Sequence, residues 1–420
     1  MHVMEPNRDR GQPSPTVYRQ HKGTSGNAWK DSIERDVFAL MLAGTCGWIA
    51  MNTVPEALLL LLIAPLFWAT ARNRWWAGAA VAVFVMAAGW SVVPAVPVYF
   101  AGEVHPAVGV LALAMVGIVN ALPWTLLWST QGRGWRALVA LVLVTIPPLG
   151  LLGWASPLNA AGLVAPLGSG WLGLALTVTI LMLIVHYRRL AQALIPMMLL
   201  ATAGLLALGW TPQPQESERA AGRDLNLPVL PVMNARAVVE RQQVLLHAVQ
   251  DVTAEIWVLP ESIAGEWSFA EPLWRQYQDE MKAKEQGGWV GALLYKDDQR
   301  YANGMIGLGV FEGMVYRQRF PIPWAMWRPF MKSGAEAHLG DDSVLVTAQG
   351  RIGFLVCYEQ LIVAPILQTL WARPDMVLAP TNAWWAATPQ IQNMQRATLK
   401  SWSRLFATPI VTALNSPFGH

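Results

Sequence analysis

The chain has 420 residues, of which 54% are hydrophobic and only 14% charged, with a formal net charge of +3. Typical soluble domains carry roughly 25% charged residues, so an ordinary soluble globule is excluded. The near-balanced charge, with no basic patch interleaved with aromatics, gives no footing for nucleic-acid binding.

Residues 1–35 are polar and basic, with Arg8, Arg10, Arg19, Lys22, Lys30 and Arg35 set among prolines and glycines. The charged region is too long for a cleavable signal peptide and lacks its small-residue cleavage site, so a cytoplasmic tail is expected. From Val37 to Trp210 the charged side chains are Glu56, Arg72, Arg74, Glu103, Arg133, Arg136, Arg188 and Arg189. A membrane helix needs about 20 apolar residues, and residues 36–210 are predicted to form about seven, near 37–52, 55–71, 75–98, 107–130, 136–155, 169–187 and 190–210. Lysine and arginine favour the cytoplasmic side. Arg72 and Arg74 follow the second span, Arg133 and Arg136 the fourth, and Arg188 and Arg189 the sixth, whereas connections 52–54, 99–106 and 156–168 contain neither residue. This pattern puts the N-terminus in the cytoplasm and the C-terminal region in the periplasm of an inner membrane. Trp75, Trp76, Trp128, Trp135, Trp154, Trp171 and Trp210 fall near span ends, as interfacial anchors do. Glu56 and His186 also fall near span ends, so they mark interfaces rather than a transport path.

Residues 211–228 read as a polar linker, and 229–420 as an extramembrane domain. Residues 236–250 have helical spacing. Strand-like runs follow at EIWVLP, 289–295, 305–311, 343–348, 352–357 and 376–380, after a short one at 229–233. Helical patterns lie at 359–371 and 389–407, and such alternation predicts an α/β or α+β layered domain. Three polar residues end strands: Glu261, Cys357 and Asn382. Layered folds gather their ligand sites at strand carboxyl ends, where a carboxylate and a thiol form a base and nucleophile pair. A helix beginning at Glu359 is expected to favour the thiolate of Cys357 through its N-terminal partial charge. Plainer roles are equally open. Cys357 fits a small buried hydrophobe, Glu261 with Ser262 a helix cap, Asn382 a turn residue, and Trp384 and Trp385 core or interface. The only other cysteine, Cys46, lies in an apolar span, so no disulfide is expected.

Together these features resemble the carbon–nitrogen hydrolase (nitrilase) superfamily, and within it apolipoprotein N-acyltransferase. The similarity rests on 64-APLFWATARNRWWAGAAVAVFVMAAGW-90, 258-VLPES-262, 353-GFLVCYEQ-360, 381-TNAWW-385 and 394-MQRATLKSWSRLFATPIVTALNS-416. It implies an α-β-β-α sandwich with Glu261 as general base, Cys357 as a nucleophile forming a thioester, and Tyr358 and Glu359 in support. It also implies no metal or organic cofactor, and a membrane lipid or lipoprotein as reaction partner. The family's third catalytic residue is a lysine, yet in 316-YRQRFPIPWAM-326 Gln318 stands at its position and Met326 where a glutamate follows. Losing one oxyanion donor costs on the order of 10²–10³ in rate; Arg317, Arg319 and Lys332 are the nearby cations. These departures bring the chain closer to TraB-type conjugal transfer proteins. That resemblance implies a membrane role in plasmid transfer among other conjugation proteins, either as a Cys-dependent acyltransferase or amidase, or as a catalytically inactive scaffold.

Overall fold

Short β-branched and aromatic runs between turns form the strands of the C-terminal half, in a computed structural model that describes residues 25–207, 217–229, 235–297 and 299–418. One sheet places β1 (Ala220–Gly222), β2 (Ile256–Val258), β3 (Gly287–Tyr295), β4 (Arg300–Gly309) and β5 (Val315–Arg317) side by side, with β6 (Gly334–Ala335) also paired to β4. The first three are parallel; β3, β4 and β5 then alternate. A second sheet takes β7 (Val344–Thr347), β8 (Gly350–Phe354), β9 (Met376–Asn382) and β10 (Ile410–Asn415) in the order β10-β9-β8-β7, parallel except at β7–β8.

Successive strand residues face opposite ways, and that alternation builds the layers. Ile256 and Val258 of β2 share a buried cluster with Phe354, Met376 and Leu378 of the second sheet. Trp257, between them, joins Leu245 and Trp274 from helices Ala235–Gln250 and Trp267–Arg275. On β9, Val377 and Ala379 turn outward to a cluster holding Ile366 and Trp402, from helices Val363–Trp371 and Gln390–Phe406. The order is helix, sheet, sheet, helix, the α-β-β-α arrangement implied by the family resemblance.

The N-terminal half departs from expectation. Seven continuous spans are not found among the described residues, and the end of the last expected one, 208–210, lies outside them. Among the described residues, Pro106–Leu127 is the one helix long and apolar enough to cross a membrane, and Arg74–Ala88 with Val92–Tyr99 qualifies as a second only across a 55° bend. Pro55–Thr70, Gly134–Leu143 and Gly170–His186 are apolar but shorter. Prolines explain one break: Pro147 and Pro148 offer no N–H donor, so the span expected over 136–155 loses its α-helix after Leu143. Close packing accompanies another. A Cβ on Gly89, at the bend, would lie 2.8 Å from the ring of Trp154. The first helix, Ser25–Asn52, already includes residues 25–35, which were expected to be irregular tail; residues 1–24 lie outside the described residues.

The two halves are joined by more than a linker. Of the expected linker, 211–216 lie outside the described residues, while Ala220–Gly222 forms β1 within the sheet. The strand expected at 229–233 also falls largely outside them. One apolar cluster runs from Leu58, Trp68 and Phe84 to Leu355, Val377 and Trp402. Asn159, fully buried between the halves, donates to the Leu361 carbonyl at 3.1 Å and accepts from the Trp402 indole at 3.0 Å.

Candidate active site

The segment after β2 carries Glu261, and its backbone passes over β3 at Gly291, where a Cβ would lie 2.2 Å from the Pro260 carbonyl oxygen. Glycine is what allows that approach. The segment after β8 carries Cys357 at φ +48°, a left-handed conformation that costs a non-glycine residue roughly 1–3 kcal/mol. Its surroundings hold it there. The Gln395 amide donates to the Cys357 carbonyl at 2.9 Å, and the Gln318 amide to that of Val356 at 3.0 Å. The Gln360 amide donates to the Leu355 and Pro380 carbonyls.

Glu261, Cys357 and Asn382 meet at one place. The Asn382 backbone N–H donates to Glu261 Oε2 at 3.1 Å, and the Cys357 thiol hydrogen-bonds the same carboxylate. Burial pushes the Glu261 carboxyl up to about 7, against hydrogen bonds from Cys357, Asn382 and Asn303 that act the other way. Burial also pushes the thiol well above its ordinary value, reinforced by the adjacent Glu261 charge and opposed by the backbone N–H groups of Asn382 and Tyr358. The expected helix-assisted thiolate is therefore corrected. Cys357–Gln360 is a single 3-10 turn, the α-helix begins only at Val363, and desolvation outweighs the local N–H groups. The resting pair is a thiol beside a carboxyl that titrates near neutrality, an arrangement in which the carboxylate can accept the thiol proton.

The other expected residues are placed differently. The Tyr358 hydroxyl points away and donates to the Leu151 carbonyl in the helical half at 2.5 Å. Glu359 lies beneath the turn, accepting from the backbone N–H groups of Val356, Arg319 and Phe320 at 2.7, 2.7 and 3.1 Å. Arg319, a candidate replacement cation, is fully buried beside Glu359 and spends its donors on Tyr316, Gln368 and Thr369. Arg317 and Lys332 are exposed. Gln318 is buried and neutral: its amide oxygen accepts from Asn303, which also donates to Glu261 at 2.5 Å. A chain of amides thus runs from the Cys357 turn to Glu261.

Cys357 and Glu261 open onto a cavity of about 260 Å³. Tyr99, from the bent helix pair, stacks on Trp384 with ring centres 5.8 Å apart, and Trp385 completes that wall. Tyr301 and Arg241 also line the cavity. The spacing of the motifs did not reveal Asn303, Tyr99, Tyr301 or Arg241. Asn303 left the clearest signal, as a polar residue within the buried, otherwise apolar stretch 302–309 of β4. A larger open groove of about 1020 Å³, around Gln250–Glu255, contains no cysteine. Among the described residues no cluster of three His, Cys, Asp or Glu side chains is arranged to hold a metal.

No family model matches the chain. It is similar to solved structures of a carbon–nitrogen hydrolase from Helicobacter pylori G27 (11% identity, 46% of this chain and 72% of that one, TM-score 0.34) and an amidase from Nesterenkonia sp. (11% identity, 39% and 64%, TM-score 0.31). A probable conjugal transfer protein TraB from Sinorhizobium fredii is 31% identical over 90% of this chain and 97% of its own length. The conjugal transfer protein TraB of Agrobacterium fabrum is 32% identical over 89% and 90%. With identity above 30% sustained along nearly the full length of both relatives, the chain belongs to the TraB family of conjugal transfer proteins.

Proposed function

We propose that this protein is an integral inner-membrane component of conjugation whose periplasmic α/β domain performs Cys-dependent acyl transfer or amide chemistry. The observation that carries the reading is the buried Cys357–Glu261 pair opening onto a single cavity. Glu261 takes the thiol proton as Sγ bonds to the substrate carbonyl carbon. The N–H groups of Tyr358 and Asn382, already directed at the sulfur, lie close to the developing oxyanion. Glu261 then returns the proton to the departing alcohol or amine, leaving a thioester on Cys357. An incoming amine or water loses its proton to Glu261 and attacks that thioester, which frees the thiol. Membrane residence draws support from large apolar side chains exposed on the helices, among them Phe38, Leu111, Ile118, Leu126, Leu172 and Met198. The arginine distribution supports the cytoplasmic N-terminus and the periplasmic domain.

Gln318 motivates a second reading, a scaffold that binds other conjugation proteins without catalysis, since no cation stands at the family's lysine position. Intact-mass measurement after exposure to phospholipid or an activated ester separates the two. Acyl transfer expects a mass increase that Cys357→Ala abolishes, together with loss of plasmid transfer at equal protein level. A Cys357→Ala strain that conjugates normally sinks the enzymatic reading.

A further inference from the structure

Arg241 lies on helix Ala235–Gln250, is only 9% exposed, and lines the same cavity as Cys357 and Glu261. A guanidinium has five N–H donors. Among the described residues Arg241 uses one partner, the Pro228 carbonyl, and no carboxylate pairs with it. Burial alone pulls its pKa down, with no neighbouring negative charge working against it. Burying a charge without a counter-ion costs several kcal/mol, and a backbone carbonyl alone gives no reason to spend an arginine there. Among the described residues the only acidic one along the cavity is Glu261, itself held partly neutral near pH 7. A second cation reinforces the sign. Arg328, partly buried, is close enough to bias the ionisation of Tyr301, which lines the cavity, and has no ion-pair partner among the described residues. The site therefore combines a thiol, an aromatic wall and, among the described residues, two arginines with no ion-pair partner.

We propose that Arg241 anchors an oxyanion group, a carboxylate or a phosphate, carried by the molecule whose carbonyl is presented to Cys357. The proposal rests on Cys357 being a nucleophile, and it adds the substrate class: an anionic acyl compound. Guanidinium binds both oxyanions through paired N–H donors. Drug-sized sites occupy roughly 300–1,000 Å³, and this cavity holds about 260 Å³. Anion and carbonyl therefore belong to one small group of atoms, with any longer apolar portion extending past Tyr99 and Trp384.

The test uses the full chain in neutral detergent and has a binding arm and a chemical arm. Cys357→Ala protein is titrated calorimetrically with hexanoate, hexyl phosphate and neutral hexanamide. At least one anion is expected to bind tenfold or more tightly than the amide, and the stronger anion identifies carboxylate or phosphate as the ligand. Adding Arg241→Gln is expected to shrink that preference below about twofold, while Arg241→Lys retains part of it. Equal binding of anions and amide, no binding of any, or a preference that survives Arg241→Gln overturns the proposal. The anion-to-amide comparison needs no change at Arg241, so it holds even if the glutamine variant misfolds. In the chemical arm, protein with Cys357 intact is treated with p-nitrophenyl hexanoate and with the p-nitrophenyl monoester of adipate, and adduct formation is followed by mass. Faster labelling by the anionic ester supports the proposal. Labelling without anion preference overturns it and leaves the nucleophile standing, whereas anion binding without any labelling overturns the nucleophile and leaves the anion site.

Discussion

Glu261 is a carboxyl with no ion-pair partner among the described residues, and its neighbours are amides, a thiol and the more distant Glu359. That environment makes it a base matched to neutral pH, at a cost to the fold. Its folded pKa of about 7 exceeds the ordinary 4.5, so folding favours the protonated form. The associated stability is fully present below pH 4.5 and is lost as pH rises through about 7. Glu261→Gln imitates the protonated carboxyl at every pH. It is expected to exceed the unsubstituted protein in stability at pH 8 by on the order of 3 kcal/mol, and to match it near pH 4.5, while abolishing Cys357 acylation. Thermal unfolding at the two pH values checks the first part; equal melting temperatures at pH 8 contradict it. The sequence made Glu261 and Cys357 legible because their motifs stand at strand ends. It misdirected the search for a cation to Arg319, because nothing in 316-YRQRF-320 tells which side of the strand pair receives Glu359.

At the level of elements, the decisive unit is the Cys357–Gln360 turn with Glu359 beneath it. Glu359 gathers three backbone N–H groups, the Tyr316 hydroxyl and the nearby Arg319 guanidinium 3.8 Å away, all without solvent. This ties β5 and the residues after it to the nucleophile turn and helps keep Cys357 at its positive φ. Removing one member of a buried ion pair typically costs 3–5 kcal/mol. Glu359→Gln is therefore expected to destabilise the domain by about that amount, read as a fall in melting temperature, and to slow Cys357 labelling in the molecules that remain folded. A variant as stable as the parent contradicts the account. Apolar runs revealed the longer strands and helical spacing the helix after the turn, but not the short strands β1, β5 and β6 or the turn itself. A 3-10 turn followed by an apolar helix has the same run of side chains as one longer helix.

At the scale of the molecule, the helical half and the α/β domain are packed as one body through Asn159, Gly162 and Tyr358. Gly162 lies so close to helix Gln390–Phe406 that a Cβ there would fall 1.8 Å from the Ser401 carbonyl oxygen. Gly162→Ala is expected to push that helix away at a cost of about 1–3 kcal/mol. It should increase protease cutting between the halves and lower Cys357 labelling, because Tyr99 and Trp384 form the cavity wall from opposite sides of this junction. Unchanged proteolysis would show that the junction can yield. Composition located the apolar half correctly but overcounted its continuous helices. Apolarity measures what a segment tolerates, whereas prolines such as Pro147 and packing around Gly89 decide whether its helix continues.

By itself the sequence determined the layered domain, through the alternation of strand-like and helical runs, and it placed Glu261, Cys357 and the neutral Gln318 as the residues to locate. Only the tertiary structure decided what those positions amount to. The basicity of Glu261 comes from burial, the isolation of Arg241 from having no ion-pair partner among the described residues, and the cavity wall from residues more than 280 positions apart. Burial and charge pairing arise from three-dimensional neighbours, and no local pattern along the chain encodes them.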